Sequence, residues 1–307
     1  MNYNLNTNQF ELEITLTKAG IEVIEMDRED VELEFTDLRK NSVDEIFQVT
    51  FQDDILYIRE KSWKKSALTT SFFRNGINTD LVLKVPRHTQ IQGVISTVSG
   101  SINADSINFS GKIKTISGQM KFGNISANRL RLRSLGGNIS IENFNGTLSA
   151  KVVSGKTTIK SGHIVGLALN SVSGDITVNA DFENNRNCNL NTVSGDIDLN
   201  ILSYNSNDSL FLSTLSGRTS ITGNYPKDKV EIKKRMPFLK NHPFKSFAPV
   251  MKDFVSSFTS MRDDDDIEIQ AQSENEVANN TKMILEMLAG GKITADEAEK
   301  LINALKP

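Results

Sequence analysis

The chain of 307 residues carries one cysteine, Cys188, and one tryptophan. A single thiol excludes an internal disulfide framework and any cysteine-based metal cluster. The three histidines, His88, His163 and His242, lie far apart, and none has a companion at metal-ligand spacing. No apolar run reaches the roughly 18 residues that a membrane-spanning helix needs. Lys and Arg number 35 against 38 Asp and Glu, so the cation excess of a nucleic-acid binder is missing. The start, Met1 to Asn8, has neither a basic segment nor an apolar core, which leads us to expect no secretory signal and a cytoplasmic location. Phosphate-loop, nucleophile-elbow and His-Glu-x-x-His patterns are all absent. The expectation is a protein that is not an enzyme and uses no cofactor or metal.

What the chain has is a repeat. At 38% hydrophobic and 24% charged the composition is globular, and the length suggests about two domains. A Ser-Gly corner recurs with its glycine at Gly100, Gly118, Gly155, Gly174, Gly195 and Gly217, and Gly136-Gly137 fills the remaining slot. The spacings are 18, 19, 18, 19, 21 and 22 residues. Aliphatic residues stand two before each glycine: Val98, Ile116, Leu135, Val153, Val172, Val193 and Leu215. Apolar residues also stand five before it, from Ile95 to Leu212, four after it, from Ala104 to Ile221, and two after it except at Thr157 and Thr219, with polar residues between. Period-two alternation marks strands with one buried face. We expect inward residues at five and two before the glycine, with a corner at Ser-Gly where glycine supplies positive φ. Each unit is then one coil of a parallel β-solenoid, and about seven coils make a mainly β rod of roughly 35 Å.

Boundaries follow from where the repeat starts and stops. Residues 1–92 alternate as longer strands, such as Phe10-x-Leu12-x-Ile14-x-Leu16, and read as an N-terminal β region capping the solenoid. Asp53-Asp54 before Ile55 suggests a tight hairpin turn. Residues 93–225 hold the solenoid repeats. Residues 226–272 combine a basic stretch, an apolar series at helical spacing and an acidic linker. Residues 273–307 read as a helical hairpin, with Gly290-Gly291 as the break and Thr294 to Glu297 as a capping box.

The Ser-Val-Ser-Gly-Asp-Ile pattern of Ser171 to Ile176, and the lead-in Leu81 to Pro86 before Val98-Ser99-Gly100, resemble the putative-adhesin bacterial β-strand-repeat family of unknown function. The resemblance covers roughly residues 10–225 and implies the same solenoid. The segment Ile284 to Ile302 resembles the short hairpin of YvlB/LiaX-type, SHOCT-like proteins; in this chain the hairpin follows the β repeat. That resemblance implies a role in bacterial cell-envelope stress.

Candidate site residues divide into surfaces and isolated groups. The apolar hairpin face of Ile284, Leu285, Leu288, Leu301 and Leu305 is a candidate interface for a protein partner or a second copy. The series Phe244, Phe247, Met251, Phe254 and Phe258 reads first as a cap on the last coil, which exposes an apolar end; the alternative is contact with an anionic membrane from the cytoplasmic side, which the basic residues upstream would suit but the helix, lacking an Arg/Lys-rich polar face, does not. Asp175, Asp196 and Asp198 project from successive coils and offer a hard-cation site, but Lys156 and Arg218 share their ladder and favour a solvated mixed-charge face. Cys188 aligns with core leucines of other coils and reads as a buried hydrophobe. The function expected is a non-enzymatic binding scaffold that regulates or senses envelope stress. The alternative is an exported adhesin for a polysaccharide or cell-wall ligand.

Overall fold

The computed structural model describes residues 1–36, 38, 42–61, 79–183, 188–205 and 209–233. The chain divides into two units, Met1–Ile232 and Lys233–Pro307. The Phe-rich series, His242 and the hairpin face fall outside the described residues.

The first unit is a parallel β-solenoid. It begins with β1 (Asn2–Asn4), β2 (Gln9–Leu16), β3 (Ile21–Met26) and β4 (Asp30–Phe35). A short helix, α1 (Val43–Ile46), leads to β5 (Phe47–Gln52) and β6 (Ile55–Glu60). These two strands form an antiparallel hairpin whose turn residues Asp53 and Asp54 take φ of 52° and 59°. Positive φ at both turn positions matches the right-handed twist of the strands, and Asp tolerates it better than most residues. Then come β7 (Leu81–Pro86), β8 (Gln90–Thr97), β9 (Ile102–Thr115), β10 (Met120–Ser134), β11 (Ile139–Ser154) and β12 (Thr157–Ser173). The last are β13 (Ile176–Glu183), β14 (Cys188–Ser194), β15 (Ile197–Asn205), β16 (Leu210–Ser216), β17 (Thr219–Gly223) and β18 (Val230–Lys233).

Together the strands form one 18-stranded sheet wound into two faces. The first face, before each Ser-Gly corner, runs β5, β6, β2, β8, the later halves of β9 to β12, then β14, β16 and β18. The second, after the corner, runs β1, β4, β7, β3, the earlier halves of β9 to β12, then β13, β15 and β17. At the start the stacking departs from chain order. Strand β2 lies between β6 and β8, and β3 lies between β7 and β9. Strand β4, between β1 and β7, carries acidic residues that are paired: Asp30 and Glu32 with Arg28, and Glu32 and Glu34 with Lys84. The edge of this face is β1, three residues long, and so short an edge strand offers little for another chain to pair with.

Between the faces lies one continuous apolar core, in which Ile113, Leu132, Leu169, Leu190 and Leu212 stack coil upon coil. Each such side chain, fully buried, contributes about 1.5–3 kcal/mol. No coil gains that alone, because each depends on the coils beside it.

The corner glycines form a ladder. A Cβ on Gly118 would lie 1.8 Å from the carbonyl oxygen of Gly100, and one on Gly137 would lie 1.9 Å from that of Gly118. The same stacking continues through Gly155, Gly174, Gly195 and Gly217. Positive φ is found at Gly155, at 137°, but close approach of backbones is the requirement shared by every rung.

A second ladder corrects the sequence reading. The inward residue before the corner is the one three before the glycine, not two before it. Thr97, Thr115, Ser134, Val152, Ser171, Thr192 and Thr214 occupy that column in register, and all are buried. The Gly118 N–H donates to Thr115 Oγ1 at 2.9 Å, and the Gly137 N–H to Ser134 Oγ at 2.9 Å. Thr192 and Thr214 instead donate to the carbonyls of Gly174 and Gly195. The hydroxyls of Thr97, Thr115, Ser134, Thr192 and Thr214 satisfy corner backbone groups that the strand ladder leaves open, so polar residues stand at those places where alternation demands inward side chains. The aliphatic residues two before the glycine point away from the core. Ile116 is 36% exposed and Leu215 44% exposed. Val153, Val172 and Val193 are buried but stand apart from the core cluster.

Candidate interaction surfaces

Isolated reactive groups are placed for structure. Cys188 is buried in the core, and burial pushes its thiol up to about 12. A thiol held protonated and away from solvent is a poor nucleophile. His88 sits exposed in the turn from β7 to β8 with φ of 64°. It faces Glu25, whose carboxyl burial raises and His88 partly restores. His163 lies half-buried in β12, in register with Asn145 and Asp181.

The three aspartates do not converge. Asp175 Oδ1 accepts the N–H of Asp196 at 3.0 Å, one coil further on. Asp196 Oδ1 accepts the N–H of Arg218 at 2.8 Å, and its Oδ2 pairs with the guanidinium at 2.7 Å. That backbone N–H first, then the guanidinium, holds the Asp196 carboxyl below the usual aspartate range. Asn138 caps Lys156 in the same way, at 2.8 Å. This column supplies side-chain acceptors to the corner N–H groups of the following coil. Among the described residues no group of three or more His, Cys, Asp or Glu is placed to hold a metal ion.

Extended surface remains. Outside the second face, polar ladders link coil to coil: Asn200 donates to Asn179, Thr222 to Asn200, and Ser203 to Asp181. Glu142 pairs with Lys160 there, so its charge is mixed. Outside the first face, two rows stand four and six before each corner glycine. The nearer reads Ser96, Lys114, Arg133, Lys151, Asn170, Asn191 and Ser213, and the farther Val94, Lys112, Arg131, Ser149, Ala168, Asn189 and Phe211. Neither row holds an acidic residue. The hydroxyl column was visible in the sequence as Ser or Thr three before most glycines. The grouping of cations emerges only when the rows are laid in register.

A two-faced sheet wound about one core, with glycine corners in register, defines a parallel β-solenoid. The family model of Toastrack DUF4097 matches residues 10–240, and the chain belongs to that family. A SHOCT-like domain model matches residues 279–307. Both matches bear out the resemblances read from the repeat and the hairpin. No curated protein matches the chain. Five solved chains do, among them a crystal structure of a "putative cell adhesion protein" from Clostridium sporogenes. It is 12% identical, covering 73% of this chain and 98% of that one, with a TM-score of 0.25.

Proposed function

We propose that the protein is a non-enzymatic binding scaffold which regulates or senses bacterial cell-envelope stress from the cytoplasmic side of the membrane. The solenoid offers rigid, flat faces, and the SHOCT-like hairpin recruits a protein partner or a second copy. The observation that carries this reading is the pairing of two modules in one chain: a Toastrack β-solenoid over residues 10–240 and a SHOCT-like domain over residues 279–307. The described polar groups support it, because Asp175 and Asp196 are engaged in coil-to-coil hydrogen bonds and Cys188 is buried.

The hairpin role is tested by the double substitution Leu288→Asp, Leu301→Asp in the full chain. Self-association by sedimentation and capture of partners are expected to disappear, while the β circular dichroism stays unchanged. Association that persists in both assays would sink the interaction module. Cell fractionation separates this reading from an exported adhesin, which would appear at the cell surface.

A further inference from the structure

We propose that β5, the edge strand of the first face, is a docking surface for a second copy of this chain, which pairs with it antiparallel about a two-fold at Thr50. The inference stands on the solenoid alone and goes beyond the hairpin role.

The two faces finish differently at the N-terminal end. The edge of the second face, β1, is three residues long, whereas β5 has six. Among the described residues β5 pairs with β6 alone. Its sequence, Phe47-Gln-Val-Thr-Phe-Gln52, holds no charge and no proline, the residues that commonly guard an edge. An uncharged, alternating strand of this composition is suited to pairing with another strand.

The hairpin sets which backbone groups are available. Gln52 and Ile55 close the two-residue turn and exchange hydrogen bonds, and every second pair beyond them does the same. Gln48, Thr50 and Gln52 therefore direct their backbone groups at β6, while Phe47, Val49 and Phe51 turn theirs outward. The Phe47 N–H is already given to the Val43 carbonyl. Val49 and Phe51 keep complete outward sets. A two-fold at Thr50 sets each Val49 opposite the partner's Phe51, and those pairs exchange both bonds. A two-fold at Val49 would call on the Phe47 N–H, which is engaged.

The same register suits the side chains. On the inner side Phe47 stacks on Phe35 at 4.5 Å, and Phe51 meets Tyr3 at 5.0 Å. Phe47 is buried, but Tyr3, Val49 and Phe51 are only half-buried, since among the described residues no coil lies beyond them. Val49 beside the partner's Phe51 is a β-branched and aromatic pair, which favours cross-strand contact. On the outer side the exposed Thr50 faces its own copy, and the exposed Gln48 faces the partner's Gln52. The contact is therefore self-complementary, apolar inside and hydrogen-bonding outside, and it closes at two copies. The two solenoids then meet end to end, and their flat faces run on from one to the other.

The test uses the full chain carrying Leu288→Asp and Leu301→Asp, so that the hairpin contributes nothing. A contact of one short strand is weak, so sedimentation of this chain at micromolar concentration still reads a monomer, and covalent trapping at millimolar concentration is the readout. Thr50→Cys places two thiols on the two-fold with Cα atoms about 4.5 Å apart, within the span of roughly 4.4–6.8 Å that a disulfide bridges. Copper phenanthroline in air is expected to couple them at least about tenfold faster than Gln92→Cys, an exposed site outside the same face. Cys188 is buried and stays out of the reaction. Adding Gln48→Lys and Gln52→Lys to the Thr50→Cys chain sets lysine against lysine and is expected to cut trapping about fivefold. Gln48→Glu with Gln52→Glu is expected to do the same, and mixing the two chains to restore it. All of these sites are exposed, so the circular dichroism stays unchanged. Trapping at Thr50 no faster than at Gln92, or lysine and glutamate chains trapped as fast alone as mixed, would overturn the proposal. Neither result touches the hairpin, which is read by sedimentation of the chain with Leu288 and Leu301 intact.

Discussion

A corner glycine in this solenoid is confined by the backbone one coil away. A Cβ on Gly137 would meet the Gly118 carbonyl oxygen at 1.9 Å, and neither backbone can yield without moving a strand. Gly137→Ala is expected to cost more than about 4 kcal/mol. Gly136→Ser, at the slot where other coils already carry serine, is expected to stay within about 0.5 kcal/mol. Urea unfolding of the two variants measures the contrast. The hydroxyl column makes a subtler claim. Thr115→Val keeps the shape but removes the acceptor of the Gly118 N–H, with an expected cost of about 1–3 kcal/mol. Ser171 Oγ is buried without a partner, so Ser171→Ala is expected to be neutral or stabilising by up to about 1 kcal/mol. Thermal melts that rank these two the other way would contradict the column's role.

In the stretch of each long strand just before the corner, as in Leu130-x-Leu132-x-Ser134 and Leu148-x-Ala150-x-Val152, alternation runs on to the column three before the glycine, and the corner absorbs the change of phase. In β9, Ile113 is wholly buried, and Ile116 beyond its end is 36% exposed. Both are isoleucines in one coil, so composition cannot tell them apart. Ile113→Asp buries an unpaired charge and is expected to cost at least about 4 kcal/mol, abolishing a cooperative melt. Ile116→Asp places the charge outward and is expected to change stability by less than about 1 kcal/mol. Circular dichroism melts of the pair test the register directly. The aliphatic character two before the glycine suggested burial in the sequence. Hydrophobicity reports a preference for apolar surroundings, and only the backbone register says on which side of the sheet a residue lies.

Over the whole solenoid, the N-terminal strands are part of the stack. Because β2 and β3 lie between layers built from later strands, their removal leaves an internal gap. A chain lacking residues 1–35 is expected to lose the cooperative β melt, whereas a detachable N-terminal cap would leave it intact. The sequence by itself determined the coil, its length, the glycine corner and the family resemblances. Each is written as a local pattern repeated at a near-constant interval, and repetition makes a weak local signal legible. Tertiary structure alone decided the insertion of β2 between β6 and β8, the inward hydroxyl column and the union of Lys112, Lys114, Arg131, Arg133 and Lys151 on one face. Those features depend on which residues from different coils become neighbours. Spacings that vary between 18 and 22 residues hide that register until the backbone hydrogen bonds fix it.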